Sequence, residues 1–190
     1  MTPVKILGIC GSLRKKSSNM ALLHYAQSHL PEGVEMAIAD LSLMPFYNKD
    51  IESTPDSVSA FYDDLHTADA LMLACPEYNY SIAPALKNAL DWASVSDDKS
   101  LVLNKPTGIL GAGGSMGTSR AQYHLRQVAV YLQLDLLHRP EIFCNAFRGT
   151  FDDDNVLIDA RVQQQIAVQM RALREKVLLQ RKIDAGEATS

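Results

Sequence analysis

Val4-Lys5-Ile6-Leu7-Gly8-Ile9-Cys10, followed at once by Gly11-Ser12-Leu13-Arg14-Lys15-Lys16-Ser17-Ser18-Asn19, decides the fold. The first seven residues make a short β-branched and apolar run, the pattern of a strand buried on both faces. Gly11-Ser12 cuts it off. From Asn19 the apolar period changes. Leu22, Leu23, Ala26 and Leu30 fall on one helical face until Pro31-Glu32-Gly33 ends the segment. A buried strand, a polar loop and an amphipathic helix in that order open an alternating strand and helix unit.

The alternation continues along the chain. Val34 to Asp40 reads as strand two, and Leu41 to Pro55, with two prolines and Asn48-Lys49-Asp50, as a long loop. Val58, Phe61, Tyr62 and Leu65 space as helix two, and Ala70 to Cys75 is a compact apolar strand three stopped by Pro76. Leu86, Leu90 and Ala93 mark helix three, Thr107 to Ala112 strand four, and Leu125, Val128, Ala129 and Leu132 helix four. Leu134 to Cys144 should hold strand five. Val162, Ile166, Met170, Leu173 and Val177 carry the longest stripe, helix five. Parallel neighbours need a crossover, and here each crossover is a helix. The expected fold is α/β: a doubly wound sandwich around a five-stranded parallel sheet in the order 2-1-3-4-5. Residues 1–182 should form a single domain and residues 183–190 a frayed tail.

With 47% hydrophobic and 21% charged residues, the 190-residue chain lies in the ordinary globular range. The net charge of -4, with Lys and Arg scattered, argues against a nucleic-acid partner. No apolar run reaches the ~18 residues a membrane span requires, and residues 1–10 lack the form of a signal peptide, so a cytoplasmic protein is expected. Cys10, Cys75 and Cys144 are too far apart for a CxxC pair and read as buried structural thiols. Asp152-Asp153-Asp154 reads as a solvated loop, and the five histidines show no metal-site spacing.

The unusual chemistry lies after strands one, three and four, which are consecutive in this order, and doubly wound sheets bind ligands outside the carboxyl ends of such strands. The first loop joins the hydroxyls of Ser12, Ser17 and Ser18 to Arg14 and Asn19 just before a helix. Such a helix start favours a phosphate; a Ser-rich turn capped by Asn19 is the alternative. It lacks the glycine, lysine and hydroxyl order of a nucleotide-kinase loop. The second, Pro76-Glu77-Tyr78-Asn79-Tyr80-Ser81, sets two aromatics beyond a proline and can wall a flat ring, or be a rigid connection with surface tyrosines. The third, Gly111-Ala112-Gly113-Gly114-Ser115-Met116-Gly117, permits close backbone approach or simply a tight turn.

Taken together, Gly-Ser-Leu-Arg-x-x-Ser-x-Asn at 11–19, Pro-Glu-Tyr-Asn-Tyr-Ser with Leu-Lys-Asn-Ala-x-Asp-Trp at 76–92, and Arg-Ala-Gln-Tyr-His-Leu-Arg-Gln at 120–127 closely resemble the NADPH-dependent FMN reductase family. The resemblance covers about residues 4 to 160 and implies a flavodoxin-like fold with one bound FMN. It implies that Ser12, Arg14, Ser17 and Asn19 hold the FMN phosphate. Pro76, Glu77, Tyr78, Asn79 and Ser81 would line the isoalloxazine ring, with Gly113, Gly114, Ser115 and Gly117 on its other side. It further implies a ping-pong oxidoreductase: NADPH or NADH gives hydride to bound FMN, which passes it to quinones, free flavin, azo compounds or metal oxyanions such as chromate. No catalytic side chain and no metal is implied. The family also implies a homodimer or homotetramer with Arg120, Tyr123 and Glu141 near a subunit contact. Cys75, where relatives often carry Thr, and Thr118-Ser119, often Gly-Ala, depart from the pattern. A flavodoxin-type electron carrier and a redox-inactive FMN-binding regulatory module share the fold and are the rival readings.

Overall fold

In the computed structural model, which describes residues 2–186, the elements in chain order are β1 (Val4–Cys10), α1 (Ser18–Ser28), β2 (Val34–Ile38), α2 (Asp56–Thr67) and β3 (Ala70–Ala74). A short hairpin of β4 (Glu77–Tyr78) and β5 (Ser81–Ile82) leads to α3 (Pro84–Val95). Then come β6 (Pro106–Gly113), α4 (Ser119–Leu132), β7 (Asp135–Leu136), β8 (Ile142–Asn145) and α5 (Ala160–Asp184).

The main sheet is parallel throughout, with β2-β1-β3-β6 side by side and both β7 and β8 paired to β6. The expected fifth strand is therefore split. β7 pairs with Pro106 and Thr107, and β8 with Leu110 to Gly113. Leu137 to Glu141 lie between them, and Pro140, without an N–H, cannot carry a ladder through this stretch. With β7 and β8 counted as one broken strand, the order is the expected 2-1-3-4-5.

Successive strand side chains point to opposite faces, and β1 sorts the core accordingly. Val4, Ile6 and Cys10 pack with Leu22, Leu23 and Ala26 of α1 and Ile166, Met170 and Leu173 of α5. Leu7 and Ile9 pack on the other side with Phe61 and Leu65 of α2, Leu86 and Leu90 of α3, and Leu125 and Ala129 of α4. Two helices on one face and three on the other leave the carboxyl ends of the strands as the edge where loops meet.

All three cysteines are buried and unpaired. Burial pushes each thiol upward, that of Cys75 to about 12 with help from the Glu77 charge, and that of Cys144 to about 12. They stay protonated at neutral pH, as structural thiols do. The 41–55 loop has no helix or strand but is pinned: the side chains of Asn88 and Trp92 both donate to the Pro45 carbonyl (2.9 and 2.8 Å), and Asn88 Oδ1 accepts from the Tyr47 N–H. Lys105, buried at the start of β6, donates to the carbonyls of Leu65 and Ala68 at the end of α2, and burial lowers it to about 8. α5 runs to Asp184, two residues into the segment expected to fray, and residues 187–190 of that segment lie outside the described residues.

Candidate functional site

The loops leaving β1, β3, β6 and β8 enclose a cleft of about 280 Å³, close to the lower end of the ~300–1,000 Å³ that small-molecule sites span. Its floor is the start of α1. Ser17, in extended conformation, caps that helix by accepting the Met20 N–H at 3.2 Å. Among the described residues the N–H groups of Ser18 and Asn19 have no acceptor, as expected of a first helical turn. They join the hydroxyls of Ser12 and Ser17 and the guanidinium of Arg14 on the cleft wall. Arg14 is steadied by its own loop, donating to the Lys16 carbonyl at 2.6 Å. This set, donors and a positive charge at the positive end of a helix dipole, is suited to a phosphate.

The Asn19 side chain has a further task that the sequence did not suggest. Asn19 is not the cap, and its side-chain amide is spent across the sheet: it donates to the Ala112 carbonyl (2.8 Å) and accepts from the Ala112 N–H (2.9 Å). That latch ties α1 to the end of β6, so only its backbone N–H is left to face an anion. Ser18 is engaged too, donating to the Asn155 side chain at 3.3 Å.

The second wall is the β4–β5 hairpin, where the sequence suggested a loop. Asn79 and Tyr80 make its two-residue turn with φ of 49° and 69°, the left-handed pair that a type I′ hairpin needs. The Glu77 carboxylate, 7% exposed, accepts from Arg120 Nε (2.7 Å) and from the Ala121 N–H (3.3 Å), and forms an ion pair with Arg120 Nη2. The Arg120 guanidinium in turn lies 3.7 Å from the centre of the Tyr80 ring. Pro76, Glu77 and Tyr78 reach the cleft; Asn79 at the turn and Ser81, which meets His124 Nδ1 at 3.0 Å, do not.

The third wall is the glycine loop. A Cβ on Gly113 would stand 2.3 Å from the Gly117 carbonyl oxygen, and one on Gly117, at φ +60°, would stand 2.8 Å from Phe143. The protein itself demands those two. Gly114 is otherwise: a Cβ there meets no atom within 4 Å, yet Gly114 lines the cleft. No neighbour in the chain requires glycine there, and the bare backbone at 114 can be approached closely by a flat ring. Ser115 and Gly117 shape the turn without lining the cleft.

Ala112, Ala146 and Phe147 complete the lining and were not singled out in the sequence. Phe147 is 81% exposed at the mouth. The signal for the last two was topological: parallelism places the end of the fifth strand on the same edge as the other three. Of Arg120, Tyr123 and Glu141, the last two meet each other and Arg120 does not join them. Tyr123 donates to Glu141 at 3.2 Å and Arg139 to Glu141 at 2.9 Å, while Arg120 turns to Glu77.

A doubly wound parallel sheet with a donor-rich helix start after its first strand, and a cleft between the loops at its reversal point, defines a flavodoxin-like α/β protein. The chain belongs to the NADPH-dependent FMN reductase family, whose model matches residues 4–147. It is an oxidoreductase that works with FMN and a nicotinamide donor. An NAD(P)H-dependent FMN reductase of Pseudomonas aeruginosa is 43% identical over 174 residues, covering 90% of this chain and 94% of that one. An NAD(P)H:quinone oxidoreductase of Solanum tuberosum is 41% identical over 183 residues, covering 92% and 93%. Among solved structures, the flavoenzyme NAD(P)H:(acceptor) oxidoreductase FerB of Paracoccus denitrificans superimposes with a TM-score of 0.81 at 26% identity, covering 92% of this chain and 97% of that one.

Proposed function

We propose that the chain transfers reducing equivalents from NAD(P)H to quinones and related small acceptors, using FMN seated in the four-loop cleft as one domain spanning residues 1–182. The observation that carries the seating is the pairing of two features in one cleft: the donor-rich start of α1 and the open glycine at 114. Ser12, Arg14 and Ser17, with the N–H groups of Ser18 and Asn19, would hold the phosphate. Pro76, Glu77 and Tyr78 would lie on one side of the ring and Gly113 and Gly114 on the other. Asn79, Ser81, Ser115 and Gly117 would hold those walls in shape from outside the cleft.

When bound, FMN supplies the hydride acceptance and delivery that the reaction needs. The chain's part is positional. α1 presents its positive end to the phosphate, and the hairpin presents backbone and the Tyr78 ring. The Glu77 carboxylate is neutralised by Arg120, so it adds little charge to the wall. No side chain is assigned a proton-transfer role.

Two further points belong to this reading. Tyr123, Val130 and Tyr131 are 53%, 78% and 78% exposed along the outer face of α4, and this apolar stripe beside Arg120 and Glu141 supports association into a homodimer or homotetramer. Among the described residues no helix is long and apolar enough to cross a membrane; three unpaired thiols suit a reducing compartment, and we place the protein in the cytoplasm.

An anaerobic titration tests the function. Purified protein reconstituted with FMN should lose its flavin absorbance on adding NADH or NADPH and regain it on adding benzoquinone. Flavin that binds but is not bleached by either nicotinamide would leave an electron carrier or a regulatory module; no flavin binding would remove the cleft assignment as well.

A further inference from the structure

Ser17, which caps α1 and lines the cleft, is gripped from behind by a residue that does not line it. Asn155, in the turn ahead of α5, donates through Nδ2 to the Ser17 carbonyl at 3.1 Å and accepts from the Ser18 hydroxyl at 3.3 Å. It is 138 residues from Ser17 along the chain.

Asn155 is itself held in place. Its φ is 63°, a left-handed value that asparagine adopts more readily than most residues. Asp152 closes the turn around it: Oδ1 accepts from the N–H groups of Asp154 (3.0 Å) and Val156 (2.8 Å), and the Asp152 N–H donates to the Val156 carbonyl at 3.0 Å. Leu157, which follows, is 3% exposed and packs in the core with α1 and α5. The Asn155 amide therefore reaches α1 from a fixed point.

What it grips is one peptide group, Ser17–Ser18. The carbonyl of that group accepts twice, from Asn155 and from the Ala21 N–H at 2.9 Å. Its N–H, that of Ser18, is one of the free donors on the cleft floor. A donor bonded to the carbonyl polarises the whole group, so the N–H at its other end donates more strongly. The same bond fixes the plane of the peptide, and with it the direction of that N–H.

We infer that Asn155 is a positioning residue for the FMN phosphate, acting through the Ser17–Ser18 peptide whose N–H it orients and polarises. The inference rests on the seating of FMN proposed above, and it concerns a residue beyond the matched span of 4–147. A donor fixed before binding loses less freedom when the anion arrives, and the difference appears as affinity.

The test is flavin binding by the whole chain freed of flavin, read by quenching of flavin fluorescence. FMN is compared with riboflavin, which has the same ring and no phosphate. Asn155→Gly removes the side chain and leaves the left-handed backbone unstrained. Asn155→Asp keeps an acceptor for Ser18, removes the donor to the Ser17 carbonyl and adds a negative charge beside it. Asn155→Gly should weaken FMN binding about tenfold, which is about 1.4 kcal/mol, and Asn155→Asp at least as much, with riboflavin affinity within about twofold of wild type in both. Unchanged FMN affinity in either variant, or an equal loss for the two flavins, would overturn the inference. So would variants that no longer fold, which would assign Asn155 to the fold alone. Wild-type protein that binds neither flavin would instead sink the seating of FMN on which the inference rests.

Discussion

Gly113 and Gly114 are adjacent and chemically identical, and the fold treats them in opposite ways. A Cβ at 113 runs into the Gly117 carbonyl; one at 114, on the cleft lining, meets no atom of the chain within 4 Å. Gly113→Ala should therefore lower thermal stability by about 1–3 kcal/mol, the usual range for overpacking. Gly114→Leu should melt within a degree or two of wild type yet retain FMN poorly. Differential scanning fluorimetry with flavin fluorescence reads both, and full FMN retention by Gly114→Leu would move the ring elsewhere. The sequence could not tell these two apart, since both sit in one glycine-rich run. The side-chain partner of Asn19 was hidden for a related reason. Local pattern makes an asparagine before a helix a cap or a ligand, whereas its partner, Ala112, is 93 residues away. That Ser12, Arg14 and Ser17 share one cleft wall was legible because their placement is local: they stand in the loop before α1.

At the scale of elements, the helices and long strands were legible because burial on one or both faces imposes a period on the sequence. The β4–β5 hairpin was not. Each of its strands has two residues, too few for any alternation to show, and its turn uses Asn79-Tyr80 rather than the Asn-Gly or Asp-Gly that announces a type I′ turn. The break between β7 and β8 was hidden in one apolar run that contained Pro140. Periodicity also says which face of α4 is buried, through Leu125, Ala129 and Leu132, and by difference which face is left over. Because that remaining face carries Val130 and Tyr131, the variant Val130→Glu, Tyr131→Glu should sediment as a monomer while wild type sediments as a dimer or larger. A wild-type protein that sediments as a monomer at micromolar concentration would end the assembly proposal.

The whole molecule places its chemistry by topology. Parallel strands point all their carboxyl ends the same way, and reversal of the winding between β1 and β3 opens the gap that the loops line. The parallel sheet, and with it the shared edge of carboxyl ends, followed from the alternation of strands and helices; the position of the reversal came with the flavodoxin-like strand order. The contribution of Ala146 and Phe147 followed from the same rule but had no local chemistry to advertise it. What no local reading contained is the fastening of the walls: Glu77 to Arg120 and Ala121, and Arg120 over Tyr80. That fastening makes a two-residue hairpin part of α4. Amide hydrogen exchange should therefore show residues 77–82 and the first turn of α4 opening as one cooperative unit. In Arg120→Ala the hairpin amides should exchange faster while those of β1 and β3 keep their protection. Independent exchange of the two segments in wild type would show the fastening to be idle. If they do open together, the cleft has no separate lid, and donor and acceptor trade places across a wall that stays put through every turnover.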